Sequence, residues 1–254
     1  MRILTWNIHG ASFHDRDERF PVIKKAIEEA QPDTACIQEA FFSKGRKMLE
    51  SVEGYQVSYQ TNWYPIPKLL ESTKGGLVTL TKAKPLEVNY HPYLAQGTWF
   101  TEQRWDRLLG KGFLETIIED QEFGKTTIIN THKISTYKEE DDTDDYIVAQ
   151  AQQLLVKIKE LKAKGGAFIL AGDMNFRKKS SLYPQFRELL HDAAEDLHDA
   201  AEDFHNLHLF EYATIDYIFS GDRYHCQPEY IRHESWGKYP SDHPGIVIDI
   251  KPKR

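Results

Sequence analysis

Phe168-Ile169-Leu170-Ala171-Gly172-Asp173-Met174-Asn175-Phe176 runs apolar and small residues straight into a turn that carries an acid and an amide two positions apart. A short unbroken apolar run before Gly reads as a buried strand, which places Asp173 and Asn175 at its carboxyl end. Residues at i and i+2 of an extended segment share a face, so both side chains are predicted to enter one cleft. A Gly-Asp turn is common by itself. Its weight comes from the recurrence of polar strand ends elsewhere in the chain.

Upstream, Tyr146 to Lys164 is predicted as an amphipathic helix closed by Gly165-Gly166. The acid-rich stretch Lys138 to Asp145 before it reads as a solvated loop. Thr126 to Asn130 is a predicted strand closed by Asn130-Thr131-His132, hairpin-linked through Gly124 to the strand Leu114 to Glu119. Gly75 to Thr81 reads as a strand, and Leu86 to Tyr90 as another. Thr34 to Gln38 delivers Glu39, and Ile3 to Trp6 ends at Asn7-Ile8-His9-Gly10. Between these two strands the predicted helix covers Pro21 to Ala30. Downstream, His191-Asp192-Ala193-Ala194-Glu195-Asp196-Leu197 is nearly repeated from His198 to Phe204, a period of seven that suits an amphipathic surface helix. Ile215 to Phe219 is a strand carrying Asp216, and Ser241-Asp242-His243-Pro244 leads into a last strand, Gly245 to Ile250.

Length and composition set the bounds. The 254 residues, 40% hydrophobic and 28% charged, fit one large α/β domain over 1–254, with no linker-like break. A net charge of −7 gives no general basic footprint for nucleic acid. Two cysteines are too few for a disulfide framework. With neither an apolar membrane-length run nor a secretory leader, the expectation is a cytoplasmic protein. A monomer without an obligate protein partner is expected.

Six polar clusters thus sit at or beside strand ends: Asn7, Glu39, His132, Asp173 with Asn175, Asp216, and Asp242 with His243. Carboxylates and amides suit a hard divalent cation, histidines suit a phosphate, and the lack of cysteine argues against a soft metal.

These motifs, in this order, resemble the endonuclease/exonuclease/phosphatase family. The resemblance implies a four-layer α/β sandwich, two mixed sheets face to face with helices outside. It implies Mg²⁺-dependent cleavage of a phosphoester, with Mn²⁺ able to substitute. Asn7, Glu39 and Asp242 are then expected at the metal. Asp173 is expected as the base for the attacking water and Asn175 as its positioner. His132 and His243 are expected to donate to the developing charge, with Asp216 orienting His243. Within the family, Gly75-Gly76-Leu77, Lys111-Gly112-Phe113 and Thr214-Ile215-Asp216-Tyr217 look most similar to the neutral sphingomyelinase-like branch. The aromatic stretches Trp63 to Pro67 and Trp99 to Trp105 suit a lipid–water interface, or bases stacked on the rings. The favoured substrate is therefore a phospholipid head group. A deoxyribonuclease-like activity on nucleic acid is the alternative, and a catalytically silent binding module is a third reading.

Overall fold

In the computed structural model, Asn7 and Glu39 arrive on two parallel strands, β1 (Arg2–Asn7) and β2 (Thr34–Gln38). His132 and Asp173 arrive on a second parallel pair, β7 (Gly124–His132) and β8 (Ala167–Asp173). The structure describes residues 1–11, 15–62, 72–98, 104–135, 144–197, 215–222, 224–231 and 240–252. Parallel neighbours need a crossover, and here each pair is bridged by a helix. These are α1 (Arg16–Ala30) and α4 (Asp145–Lys164). Antiparallel strands extend each pair into a mixed six-stranded sheet. The first also holds β3 (Gln56–Ser58), β4 (Val78–Thr81), β11 (His225–Tyr230) and β12 (Ile246–Lys251), in the order β11-β12-β1-β2-β4-β3. The second adds β5 (Pro85–Pro92), β6 (Gly112–Asp120), β9 (His191–Asp192) and β10 (Asp216–Ser220), in the order β5-β6-β7-β8-β10-β9.

Burial on both faces explains why these strands read as continuous apolar runs. Ile3, Cys36 and Ile248 of the first sheet meet Ile128, Ile169 and Ile218 of the second in one buried layer. Behind the first sheet lie α1 and α2 (Ser43–Glu50), through Phe20, Ile23, Ile27 and Leu49. Behind the second lie α4 and α5 (Leu182–Leu189), through Leu154, Ile158 and Phe186. The expected four-layer sandwich is therefore the observed one. Helix α4 starts where Asp144 accepts hydrogen bonds from the backbone N–H groups of Tyr146 and Ile147 (2.9 and 3.4 Å), the usual side-chain cap of the first turn.

Carboxamides join the sheets beneath the site. Gln38 Nε2 donates to Asn130 Oδ1 (2.8 Å), and Asn130 Nδ2 donates to the carbonyls of Ile37 and Val78 (3.1 and 3.0 Å). Close packing is most severe at Gly172. Its φ of 141° suits glycine, and a Cβ there would stand 1.9 Å from the Thr131 carbonyl oxygen. Backbone on both sides leaves nothing that can yield. Gly172→Ala is accordingly expected to cost about 3 kcal/mol or more in urea unfolding. A wild-type midpoint would refute this tight contact.

Several elements differ from expectation. Helix α1 begins at Arg16, because the Asp15 carbonyl already accepts from the N–H groups of Glu18 and Arg19, and Pro21 lies inside it. Gly75 and Gly76 form a 3₁₀ turn (Lys74–Gly76), and the strand starts at Val78. The first copy of the seven-residue repeat does not open as a helix. His191 and Asp192 pair with β10, and Asp192 accepts hydrogen bonds from Tyr183 Oη and the Ala194 N–H (2.9 and 3.0 Å), which favours strand and turn over helix. The second copy, the aromatic stretch 63–67, residues 99–103 of the other and acidic residues 138–143 lie outside the described residues.

Candidate active site

Register places the polar residues at one end of the sandwich. His132 is the cross-strand partner of Asp173, and Asp216 opens β10 opposite Asp173 on its other side. In the first sheet β12 runs antiparallel to β1, so the Ser241–Gly245 loop that precedes it reaches the same end as Asn7. That loop is pinned there. Ser241 Oγ donates to the Asn7 carbonyl (2.6 Å), and Trp6 Nε1 donates to the His243 carbonyl (2.9 Å).

Asp173 occupies the centre and is 2% exposed. Its Oδ1 accepts from the Asn175 N–H (2.9 Å), and its Oδ2 accepts from Asn7 Nδ2 (3.1 Å). The same Oδ2 lies 3.5 Å from His132 Nε2 and 4.0 Å from His243 Nε2. Burial and then the neighbouring Asp216 carboxylate push the Asp173 carboxyl up to about 7, against the pull of His243, Lys111 and the Asn7 amide. His243 has the opposite environment. Burial alone would depress its imidazolium, but Asp216 Oδ2 sits 2.6 Å from its Nδ1, with Asp173 and Asp242 also near, and together they raise it to about 10. His132 is held well below its ordinary range by burial, by Lys111 and by His243. Of the two histidines, then, only His243 carries charge at neutral pH.

The structure brings Glu39 to the same cleft. Its φ of 62° is a left-handed conformation, uncommon for a side-chain residue, and His9 (48°) and Asn175 (49°) share it. Asp15 (53°) and Gln31 (49°), at the two ends of α1, share it as well. Glu39 Oε1 accepts from Asn7 Nδ2 and Oε2 from the Ala11 N–H, both at 3.3 Å. Asn7 thus turns its amide N–H₂ toward two carboxylates, while its Oδ1 accepts from the His9 N–H (3.0 Å). As placed, it joins Glu39 to Asp173 and does not aim an oxygen at Glu39. Asp242 stands apart from Glu39 in its contacts. It is about 40% exposed in its side chain and pairs with His9 Nδ1 at 3.3 Å. Asn175 Nδ2 is tied to the Lys133 carbonyl (3.0 Å). Separately, Asp173, Asp216 and His243 bring ligand atoms within 4.8 Å of one another, close enough to hold a metal ion.

Lys111 is the site residue that sequence reasoning did not assign. It is 2% exposed, and its Nζ lies 2.8 Å from His132 Nε2 and 3.1 Å from Asp106 Oδ1, on the short helix α3 (Arg104–Leu109). In the sequence it counted only as part of the Lys111-Gly112-Phe113 resemblance; its place beside His132 depends on the pairing of Gly112 with His132.

Sheets, strand-end polar residues and a carboxylate–imidazole pair of this kind define a phosphoester-hydrolase fold. The chain belongs to the endonuclease/exonuclease/phosphatase family, whose model matches residues 4–243. It is a metal-dependent phosphoester hydrolase. No curated protein sequence matches it. Among solved structures it is similar to the human Nocturnin catalytic domain with bound sulfate (TM-score 0.71, 20% identity, 99% of this chain and 94% of that one). TDP2 from Caenorhabditis elegans gives a TM-score of 0.71 at 15% identity, covering 98% and 74% of the two chains. SmcL gives 0.70 at 19% identity and covers 99% of each.

Proposed function

We propose that the chain is a Mg²⁺-dependent phosphodiesterase, with Mn²⁺ able to substitute, and that its substrate is a phospholipid head group. The observation that carries the reaction is Asp173, a buried carboxylate with its pKa near neutrality, between the imidazolium of His243 and the carboxamide of Asn7. A base works best when its pKa lies near the working pH. Asp173 takes the proton of the attacking water, and the Asn175 side chain positions that water. His243, kept charged by Asp216, donates to the charge that develops on phosphate oxygens. His132, held neutral by burial, accepts at Nε2 from Lys111 Nζ (2.8 Å) and so positions that cationic side chain beside Asp173.

The donor set fits a hard cation. Glu39 is a carboxylate whose contacts are two hydrogen bonds of 3.3 Å, with no ion pair to any described residue. Mg²⁺ characteristically takes one or two carboxylates and fills its remaining positions with water and phosphate oxygens. Glu39 would hold it, steadied by Asn7, with Asp242 at the rim; the ion supplies charge compensation at the phosphoryl group. The imidazolium Nδ1 of His243, engaged by Asp216, makes the Asp173–Asp216–His243 group a poorer metal site than the Glu39 side.

Two observations favour lipid over nucleic acid. The net charge is −7, whereas nucleic-acid contacts draw on Lys and Arg. Leu94 and Leu108 flank Lys111 at the site end and are 91% and 42% exposed. Neither Cys36 nor Cys226 is in a disulfide among the described residues, which suits the reducing cytoplasm. Purified protein in MgCl₂ or MnCl₂ is expected to hydrolyse sphingomyelin vesicles and to lose that activity in EDTA. Nicked plasmid DNA beside intact vesicles would transfer the assignment to a nuclease. No hydrolysis of either by folded, Mg²⁺-loaded protein would overturn the lipid assignment and move the substrate to another phosphoester.

A further inference from the structure

Four successive carbonyls leave β1 in the loop Ile8-His9-Gly10-Ala11, and two arginines of α1 take all four. Arg19 Nη1 donates to the Ile8 carbonyl (3.2 Å) and Nη2 to that of His9 (3.1 Å). Arg16 Nη2 donates to the carbonyls of Gly10 (2.6 Å) and Ala11 (3.2 Å). Both side chains are buried, at 8% and 9% exposure for Arg16 and Arg19. A trans peptide is planar, and its C=O and the following N–H point in opposite directions. With the Ile8 carbonyl turned to Arg19, the N–H of the same unit, that of His9, is turned to Asn7 Oδ1. With the Gly10 carbonyl turned to Arg16, the N–H of Ala11 is turned to Glu39 Oε2. Gly10 permits this close approach, since a Cβ there would stand 2.1 Å from the Glu39 carbonyl oxygen.

We propose that Arg16 and Arg19 are positioning residues that set the orientation of these two peptide units and, through their N–H groups, aim Glu39 and Asn7 into the cation site. Arg19 aims Asn7: with Oδ1 held, Nδ2 faces Glu39 and Asp173. Arg16 aims Glu39. Arg19 Nη1 also donates to the Pro240 carbonyl (2.8 Å), which ties this loop to the one carrying His243. A guanidinium spreads five N–H donors over a rigid planar fork; a lysine in the same place keeps the charge but has three donors on one nitrogen and reaches fewer of these carbonyls. The proposal rests on Glu39 as the cation anchor.

Calorimetric titration of MgCl₂ into the full chain tests it. Arg16→Lys and Arg19→Lys are each expected to weaken Mg²⁺ binding about 10–100-fold, the usual effect of losing a group behind a metal ligand. The thermal midpoint without metal should change little. Arg16→Lys should add no further loss in a Glu39→Gln background, and Arg19→Lys none in an Asn7→Ala background. A residue that merely supports the fold would weaken binding equally in either background. Ala11→Pro deletes one of the two N–H groups without touching an arginine, and is expected to reproduce the Arg16→Lys loss. Normal Mg²⁺ binding by the lysine and proline variants, alongside weak binding by Glu39→Gln, would overturn the proposal alone. Normal binding by Glu39→Gln would overturn the metal assignment, and the proposal with it.

Discussion

Asp173→Asn is expected to lower turnover by about 10²–10⁴-fold, the range of a general base, while making the metal-free protein more stable at neutral pH and above. Both effects follow from one environment. The Asp173 carboxyl is buried beside Asp216 and has its pKa raised to about 7 from an ordinary 3.8. A raised carboxyl pKa means that the folded state binds the proton more tightly than the unfolded state. Stability contributed by the protonated form is therefore lost progressively as pH rises from about 4 through about 7. At the linkage value of about 1.4 kcal/mol per pKa unit, the ionised group costs the fold on the order of a few kcal/mol. Asparagine carries no charge to bury and keeps one oxygen, enough for Asn7 Nδ2 but not also for the Asn175 N–H, so the loss of that bond, about 1–3 kcal/mol, offsets part of the gain. Urea unfolding in EDTA at pH 5 and pH 8, with turnover in Mg²⁺, measures both effects. A variant that turns over normally would remove Asp173 from the chemistry. One that is less stable than the parent at pH 8 would contradict the electrostatic account.

His243→Gln should lose about 10²–10³-fold in turnover through the missing charged donor, with the opposite stability profile. The His243 imidazolium is raised to about 10 by Asp216, despite the burial that would lower it, against 6.5 in an ordinary setting. Its contribution to the metal-free fold is fully present below about pH 6.5 and lost as pH rises toward 10. Glutamine forgoes that contribution, so the gap in thermal midpoint between parent and variant should be widest near pH 6 and close above pH 10. A gap independent of pH would mean that the Asp216–His243 pair, at 2.6 Å, is held for shape alone.

Where a residue's setting was fixed by local pattern, the sequence disclosed it. The run Phe168–Asp173 is a strand, and Thr34–Gln38 is a strand that presents Glu39. Helix α4 was visible from its stripe and its glycine stop, whereas the sandwich was implied by the family resemblance that the motifs carry. What stayed hidden depends on register and on distant partners. Lys111 gains its meaning only when Gly112 pairs with His132. Arg16 and Arg19 look like ordinary helix charges until the loop carbonyls of residues 8–11 are seen to end on them. The repeat misled at its opening only: its seven-residue period says nothing about Tyr183 and Ile218, whose bonds at 2.9 Å draw residues 191–194 into strand and turn, while 195–197 are helical as expected. Asn7 shows the limit most clearly, since no sequence pattern specifies which end of a carboxamide faces a carboxylate.

The amide lock between Gln38 and Asn130 has a wider meaning for how the molecule works. Glu39 follows Gln38 directly, and Asn130 lies two residues before His132, so this one contact gauges the span between the half of the cleft that grips the cation and the half that moves the proton. It acts together with the Asn130 bonds to the Ile37 and Val78 carbonyls and the Asn7–Asp173 bond, all of which cross between the sheets. Keyed together in this way, the sheets hold that span in the folded protein.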